Sequence, residues 1–541
     1  MRFLRGWGPT ARIWFFTGLT AFAGYMAVRG AVFYWNFLLQ KTTAVLVWSL
    51  AFAAFYMMAR SRAARPRPVV AFACSTAVIF GYLVLLVAGP PLEQDRNPTA
   101  LAATLDEFAG YDASFHLVHD ALSNSRRSLR ARAGDGFYEF LAANTHIPRS
   151  TRVEPLDLNL VPDLQSSGPN KPDIYVFVID SLRRDYLKPY NPDVQFAPGI
   201  AAFAADSIVM RNAFTHYGGT GLSEPSIWVG GMLVHKQYVT PFAPMNTLQK
   251  FIAAEGYHAY VTEDPILKAI GVAPPSLTEL DAGTAATYDF CSTLRELTGD
   301  LERTADSPVF VYTQPQNIHV SVIDRENRSV PAGSSYPGFD AAYASRIERL
   351  DGCFNSFIQF LKRSGRYDNS IIILTADHGD SLGERGRWGH AFSLFPEIVR
   401  IPLIVHLPAD MRAVYPTDPD EIAFLTDITP SLYYLLGHRA LERDRVLGRP
   451  LFIAQGDPSP PAPEPYYLIV SSYAPVYAIL ADNGSTLYVA DGVSYSDYLF
   501  DLSASSGGVS RTLTDAQRDR FQQQIRAGIQ AISRFYHFQA Q

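Results

Sequence analysis

From residue 172 onward the chain alternates between apolar runs of strand length and amphipathic stretches of helix length. "DIYVFVI", "HAYVTE", "PVFVYTQ", "SIIILTA" and "IPLIVHL" are rich in β-branched residues. "PGIAAFAADSI", "NTLQKFIAAEG" and "YASRIERLDGCFNSFIQFLKRSG" lie between them with apolar residues at helical spacing. The alternation predicts an α/β domain whose largely parallel central sheet is sandwiched by helices.

The first 90 residues follow another pattern. Residues 13–39, 43–59 and 69–89 are almost continuously apolar, and each is about the roughly 17 to 25 residues that a helix needs to cross a bilayer. A cleaved signal peptide does not account for three such spans. Arg2, Arg5 and Arg12 precede the first, and Arg60, Arg62, Arg65 and Arg67 lie between the second and third. The short first loop holds only Lys41, and Glu93 and Asp95 follow the third span. The positive-inside bias puts the N-terminus in the cytoplasm and everything beyond residue 90 outside it. The expected plan is a membrane domain (1–90), an amphipathic helical segment and linker (91–170), and an extracytoplasmic catalytic domain (171–541). That makes a multi-pass protein of the cell (inner) membrane with a periplasmic or otherwise external active domain.

Composition narrows the partners. A net charge of -6 over 541 residues gives no footprint for nucleic acid. Three cysteines cannot build a disulfide framework. Cys74 lies in an apolar span, and Cys291 and Cys353 could pair, a point the sequence leaves open.

In parallel sheets ligands bind at the carboxyl ends of the strands, and here those ends carry chemistry. Asp180 follows the first strand, Asp377-His378-Gly379 follows "SIIILTA", His319 lies beyond "PVFVYTQ", and His390 closes a glycine-rich loop. Carboxylates with imidazoles suit zinc or manganese, one ion or two. An Asp after a strand also serves as a helix cap, but Asp-His after a buried strand would leave a costly charge without a partner.

Two hydroxyls compete for the role of nucleophile in "THYGGTGLSEPSIWVGGML". Thr220 lies among Gly218, Gly219 and Gly221, whose backbone N–H groups can approach an anion at the start of a helix. Ser223 has the place of an N-cap, with Pro225 in the first turn. Arg183 suits either an anion clamp or a salt bridge. His216 and Glu224 flank the loop and either touch substrate or serve structure.

Five segments in order, "IDSLRRDYL", "TADHGDSLGERGRWGH", "RIPLIVHLP", "TDITPSLYYLLG" and "YLFDL", resemble the sulfatase-like branch of the alkaline phosphatase superfamily over roughly residues 172 to 505. The resemblance implies that Asp180, Asp377 and His378 bind metal. It also implies that His390 and His319 are site histidines and that the Thr220–Ser223 stretch is the nucleophile position. Sulfatases place Arg two residues after their Pro, where this chain has Ile227. Membrane-bound phosphoethanolamine transferases and lipoteichoic acid synthases instead carry a nucleophilic threonine, which matches Thr220, although the cysteines common near that residue in the former are absent here. The expectation is a metal-dependent transferase. Thr220, itself a metal ligand, would take a phospho-head-group of phosphoethanolamine or phosphoglycerol type from a phospholipid and pass it to a glycan or lipid acceptor. His319 or His390 would serve as proton donor or substrate clamp. A sulfatase-like hydrolase or phosphodiesterase is the alternative, and a metal-free binding module the third reading.

Overall fold

The computed structural model describes residues 136–145, 156–168, 170–233, 241–282, 289–303, 307–319, 330, 333–439, 444–457, 464–503 and 508–537. The three apolar spans and most of the 91–170 segment lie outside these residues. Among the described residues no helix is long and apolar enough to cross a membrane.

The strands are β1 (Asp173–Val178), β2 (Ile208–Val209), β3 (Asn212–Phe214), β4 (His258–Thr262), β5 (Leu277–Leu280), β6 (Val309–Thr313), β7 (Ser370–Thr375) and β8 (Leu403–His406). All but β3 form one sheet in the order β2-β8-β7-β1-β6-β4-β5. The five strands from β7 to β5 are parallel, and β8 and β2 finish the edge in antiparallel pairing. Every residue of β1 and β7 is buried, which is why these strands read as unbroken apolar runs rather than alternations.

Beside a short helix over Ala409–Val414, the helices of the described residues are α1 (Gly136–Thr145), α2 (Pro198–Ala205), α3 (Thr220–Val229), α4 (Thr247–Glu255), α5 (Pro265–Ile270), α6 (Phe290–Arg303), α7 (Ala341–Arg363), α8 (Pro396–Val399), α9 (Ile428–Leu435) and α10 (Asp515–Phe535). Strand periodicity assigns them to two layers. Tyr175 and Phe177 of β1 face α7 and meet Phe357 and Phe354 edge-on. Tyr312, opposite Val176, points to the other face and packs on Trp228 of α3. Cys291 of α6 and Cys353 of α7 form a disulfide with Cα atoms 5.3 Å apart, closing 62 residues of chain. A loop of that length is worth about 4 kcal/mol on the chain-entropy account.

A second sheet, which the strand pattern upstream does not announce, follows the domain. Strand β9 (Ile422–Phe424) pairs with β3, and β10 (Tyr466–Val470), β11 (Val476–Ala481), β12 (Thr486–Asp491), β13 (Ser496–Asp501) and β14 (Val509–Ser510) form an antiparallel meander. Its apolar face buries Val476, Ala478, Leu487 and Val489 against Phe214, Leu394 and Phe424 of the first layer system. The long α10, opened by a Thr514–Gln517 capping box, packs on this sheet. Helix α1 also docks here, through Tyr138 to Asp497 at 2.8 Å and Thr145 to Tyr477 at 2.8 Å. One helix of the 91–170 segment is therefore packed against the C-terminal sheet rather than standing before it.

Candidate active site

Register alone brings the two key carboxylates together. Val178 of β1 lies opposite Thr375 of β7, so Asp180 and Asp377, each two residues further on, leave neighbouring strands at one level. Ser181 takes a left-handed conformation, φ 66°, a cost of roughly 1–3 kcal/mol for a non-glycine residue. That turn aims its N–H at Asp377 Oδ1, 3.1 Å away, while its hydroxyl donates to Asp180 at 3.0 Å. Gly379 is required by close approach: a Cβ there would meet the Glu397 carbonyl oxygen at 2.1 Å.

Asp377 is fully buried and accepts four hydrogen bonds. Oδ1 takes those of Ser181 N and of His378 N at 2.9 Å, and Oδ2 takes those of Thr220 Oγ1 at 2.7 Å and Gln314 Nε2 at 3.1 Å. His378 Nδ1 lies 3.0 Å from the Gly379 carbonyl, which makes Nδ1 the donor and leaves Nε2 with a free lone pair. That Nε2 sits 3.3 Å from Thr220 Oγ1, 3.3 Å from Asp377 and 3.7 Å from Asp180.

The expected metal set is thus assembled, and its chemistry fits a divalent cation. One ligand atom each from Asp180, Asp377 and His378 lies within 4.8 Å of the others. Among the described residues neither aspartate meets Lys or Arg. Burial, then the charge of Asp377, pushes the Asp180 carboxyl well above the usual range. Two buried carboxylates, one imidazole and one hydroxyl call for a positive charge and offer the oxygen and nitrogen donors that zinc or manganese takes.

A second group shares His378. His390 Nδ1 is 2.6 Å from Asp380 Oδ1, and the His390 ring lies 4.0 Å from that of His378 and 4.9 Å from that of His319. Burial would raise Asp380, but His390, His319 and His378 outweigh it and hold the carboxylate below its ordinary range. His319 and His390 are both half-buried beside Asp380 and His378. Asp380 and Gln314 were not singled out from the sequence. The second Asp in "DHGD" is a visible signal for Asp380, whereas nothing local marks Gln314.

Other expectations are corrected. Helix α3 begins at Thr220 with Gly219 as its cap residue, so Ser223 is inside the helix rather than its N-cap, and Pro225 lies in the second turn. The Ser223 hydroxyl is buried and donates to the Asp377 carbonyl at 2.7 Å. Gly218 N–H is not free for an anion, since it donates to Val470 O. Arg183 is no anion clamp: its guanidinium grips Asp185 through Nε (3.0 Å) and Nη2 (2.7 Å) and the Asp380 carbonyl through Nη1 (3.1 Å). Glu224 is buried below the site, where burial, then Asp264, pushes its carboxyl well above the usual range. It underlies the site and has no route to substrate.

His216 is likewise structural. Its Nδ1 bonds the Leu468 carbonyl at 2.8 Å and its ring stacks 3.9 Å from Phe424. Burial lowers its pKa to about 4. Between about pH 6.5 and 4 the unfolded chain binds a proton that the folded chain refuses, so stability falls as pH drops through this window, by up to ~3 kcal/mol. His216→Asn keeps a donor for Leu468 without titrating there. Urea midpoints should drop less between pH 7 and 4.5 for the variant than for the wild type, and equal drops would refute the assignment.

Residues 172–438, which contain every residue of this cluster, match the sulfatase family model. Over 195 residues the chain is 29% identical to a choline-sulfatase from Rhizobium meliloti, covering 34% of this chain and 36% of that protein. Over 125 residues it is 30% identical to a multifunctional alkaline phosphatase superfamily protein from Trinickia caryophylli, covering 22% and 23%. The chain thus aligns with about a third or less of these relatives' length. A putative sulfatase from Bacteroides thetaiotaomicron superposes with a TM-score of 0.52 at 17% identity, over 68% of this chain and 93% of that one. An alkaline phosphatase superfamily protein from Vibrio parahaemolyticus does so with 0.51 at 14%, over 75% and 97%. Residues 172–438, with the whole carboxylate–histidine cluster inside them, thus match the sulfatase family model, and the domain shares the fold of these two structures.

Proposed function

We propose that the protein is a metal-dependent transferase that moves a phospho-head-group from a phospholipid to a glycan or lipid hydroxyl through a phospho-threonine at Thr220. One observation carries the reading: of the two candidate hydroxyls, Thr220 faces Asp377 Oδ2 and His378 Nε2 at the start of α3, whereas Ser223 is turned onto a backbone carbonyl. A cation held by Asp180, Asp377, His378 and Thr220 would lower the pKa of the threonine hydroxyl and offset charge on the transferred group.

The chain's own residues supply the remaining steps. Thr220 Oγ1 forms a bond to phosphorus as the bond from phosphorus to the diacylglycerol oxygen breaks. The hydroxyl proton of Thr220 already points at Asp377 Oδ2. His390, held at Nδ1 by Asp380, gives a proton from its Nε2–H to the departing oxygen. In the second half the acceptor hydroxyl gives its proton to His390 and attacks phosphorus as the bond from phosphorus to Thr220 Oγ1 breaks, and Oγ1 takes back its proton from Asp377 Oδ2. His319, beside His390, clamps the substrate or shares its proton. Placement outside the cytoplasm is supported by the Cys291–Cys353 disulfide, because such bonds persist in oxidising compartments, and by the arginine bias around the apolar spans.

Hydrolysis is the second reading, favoured by the sulfatase names among the relatives; water then replaces the acceptor. Intact-mass spectrometry of the full-length protein incubated with isotopically labelled phospholipid tests the proposal. The expected adduct adds the mass of phosphoethanolamine or phosphoglycerol at Thr220. Turnover of a sulfate ester with no phospholipid adduct would overturn it in favour of the hydrolase.

A further inference from the structure

Gln314 is the first residue beyond β6, and it has no part in the reaction steps above. Strand β6 lies beside β1, and β1 lies beside β7, so Gln314 and Asp377 leave strands that β1 separates. Backbone bonds tie the three strand ends together. Ile179 N donates to Thr375 O at 2.8 Å, and Asp180 N donates to Pro315 O at 3.1 Å. Across that level the fully buried Gln314 side chain reaches Asp377, with Nε2 3.1 Å from Oδ2. Its own place is fixed from two sides. Gln314 N donates to Thr262 Oγ1 of β4 at 3.0 Å, and Tyr312 OH donates to Gln314 Oε1 at 3.4 Å. Tyr312 packs on Trp228 of α3, the helix that begins with Thr220. A carboxylate can only accept, so the nitrogen end of the amide faces Asp377 and the oxygen end faces Tyr312.

We infer that Gln314 is a positioning residue of the metal site, whose amide N–H holds Asp377 Oδ2 in place and so sets how tightly the site binds a divalent cation. Two backbone N–H groups, those of Ser181 and His378, already fix Oδ1. At Oδ2 the donors are Thr220 and Gln314. Thr220 is a reacting group and gives up its hydroxyl proton, whereas Gln314 keeps its bond to Oδ2 through both halves of the reaction. Groups that orient a metal ligand in this way govern affinity as the ligands themselves do. The neutrality of Gln314 matters as well. Lys or Arg at this place would orient Asp377 but cancel the negative charge that attracts the cation. An amide orients the carboxylate and leaves that charge intact.

The inference rests on the metal-dependent site proposed above, and the test separates the two. Zinc affinity of the full-length protein is measured by competition with a chelator, and the thermal midpoint of each metal-free protein is measured alongside. The variants are Gln314→Met, which keeps the length of the side chain without a donor, and Gln314→Asn, whose amide is one carbon too short. Both should bind zinc about 10- to 100-fold more weakly than wild type. Thr262→Val removes the partner of the Gln314 backbone but keeps the side-chain donor, and should bind zinc like wild type. Zinc affinity at or above wild-type strength in Gln314→Met overturns the positioning role and leaves the site standing. An equal loss in Thr262→Val overturns it by assigning the effect to the strand end as a whole. Failure of both Gln314 variants to fold without metal overturns it by making Gln314 a structural brace. A wild type that binds no zinc overturns both the inference and the reading beneath it.

Discussion

Thr220→Ala should abolish the covalent adduct and lower turnover by about three orders of magnitude or more, the scale seen when a nucleophile is removed. Metal should remain, because Asp180, Asp377 and His378 stay in place. Ser223→Ala should behave differently. Its hydroxyl donates to the buried Asp377 carbonyl, and stranding that acceptor costs about 1–3 kcal/mol of stability while leaving the chemistry within about tenfold. Adduct mass, turnover and thermal midpoint on both variants decide the matter. An inactive Ser223→Ala beside an active Thr220→Ala would transfer the nucleophile to the serine and restore the sulfatase reading.

Asp377→Asn should lose bound metal and turnover together, turnover by about a thousandfold or more. The side chain keeps its shape, so Oδ1 can still accept the Ser181 and His378 N–H groups, but an amide nitrogen then replaces the oxygen that serves Thr220 and Gln314. Gln314 Nε2 would face another donor. Removing the charge also relieves Asp180 of a like-charged neighbour. The metal-free variant should therefore unfold at a temperature no lower than the metal-free wild type, although it is inert. Stoichiometric zinc in Asp377→Asn by elemental analysis would refute the ligand assignment.

The sheet and the meeting of Asp180, Asp377 and His378 are legible because both follow from short-range rules. Buried parallel strands give unbroken apolar runs, and ligands at their carboxyl ends are set by register, as with Asp180 and Asp377 beyond the paired Val178 and Thr375. The helix start at Thr220 was misplaced because Ser-x-Pro imitates a cap and first turn. Tertiary packing extends α3 by one turn and accepts a proline inside it. His216 and Glu224 flank the nucleophile in sequence but face the interior, and a helix or loop neighbour's direction cannot be taken from spacing alone. Gln314 directly follows β6, at the same strand ends as the aspartates, but an amide there carries no local pattern to mark it. The apolar spans lie outside the described residues, so the membrane plan stands on the hydropathy and arginine pattern.

The hydrogen bonds that Val470 and Ser472, at the end of β10, make to His216, Gly218 and Gly219 of the nucleophile loop bear on where this protein can be cut. The family match stops at residue 438, and a protease nicking near that point would release a piece that still carries Asp180, Thr220, Asp377, His378 and His390. Such a piece would nonetheless lack the strand whose Val470 bonds both His216 and Gly218, and the serine that holds Gly219. Limited digestion should thus silence the enzyme without removing a single metal ligand, and adding back the C-terminal fragment should restore activity by non-covalent complementation.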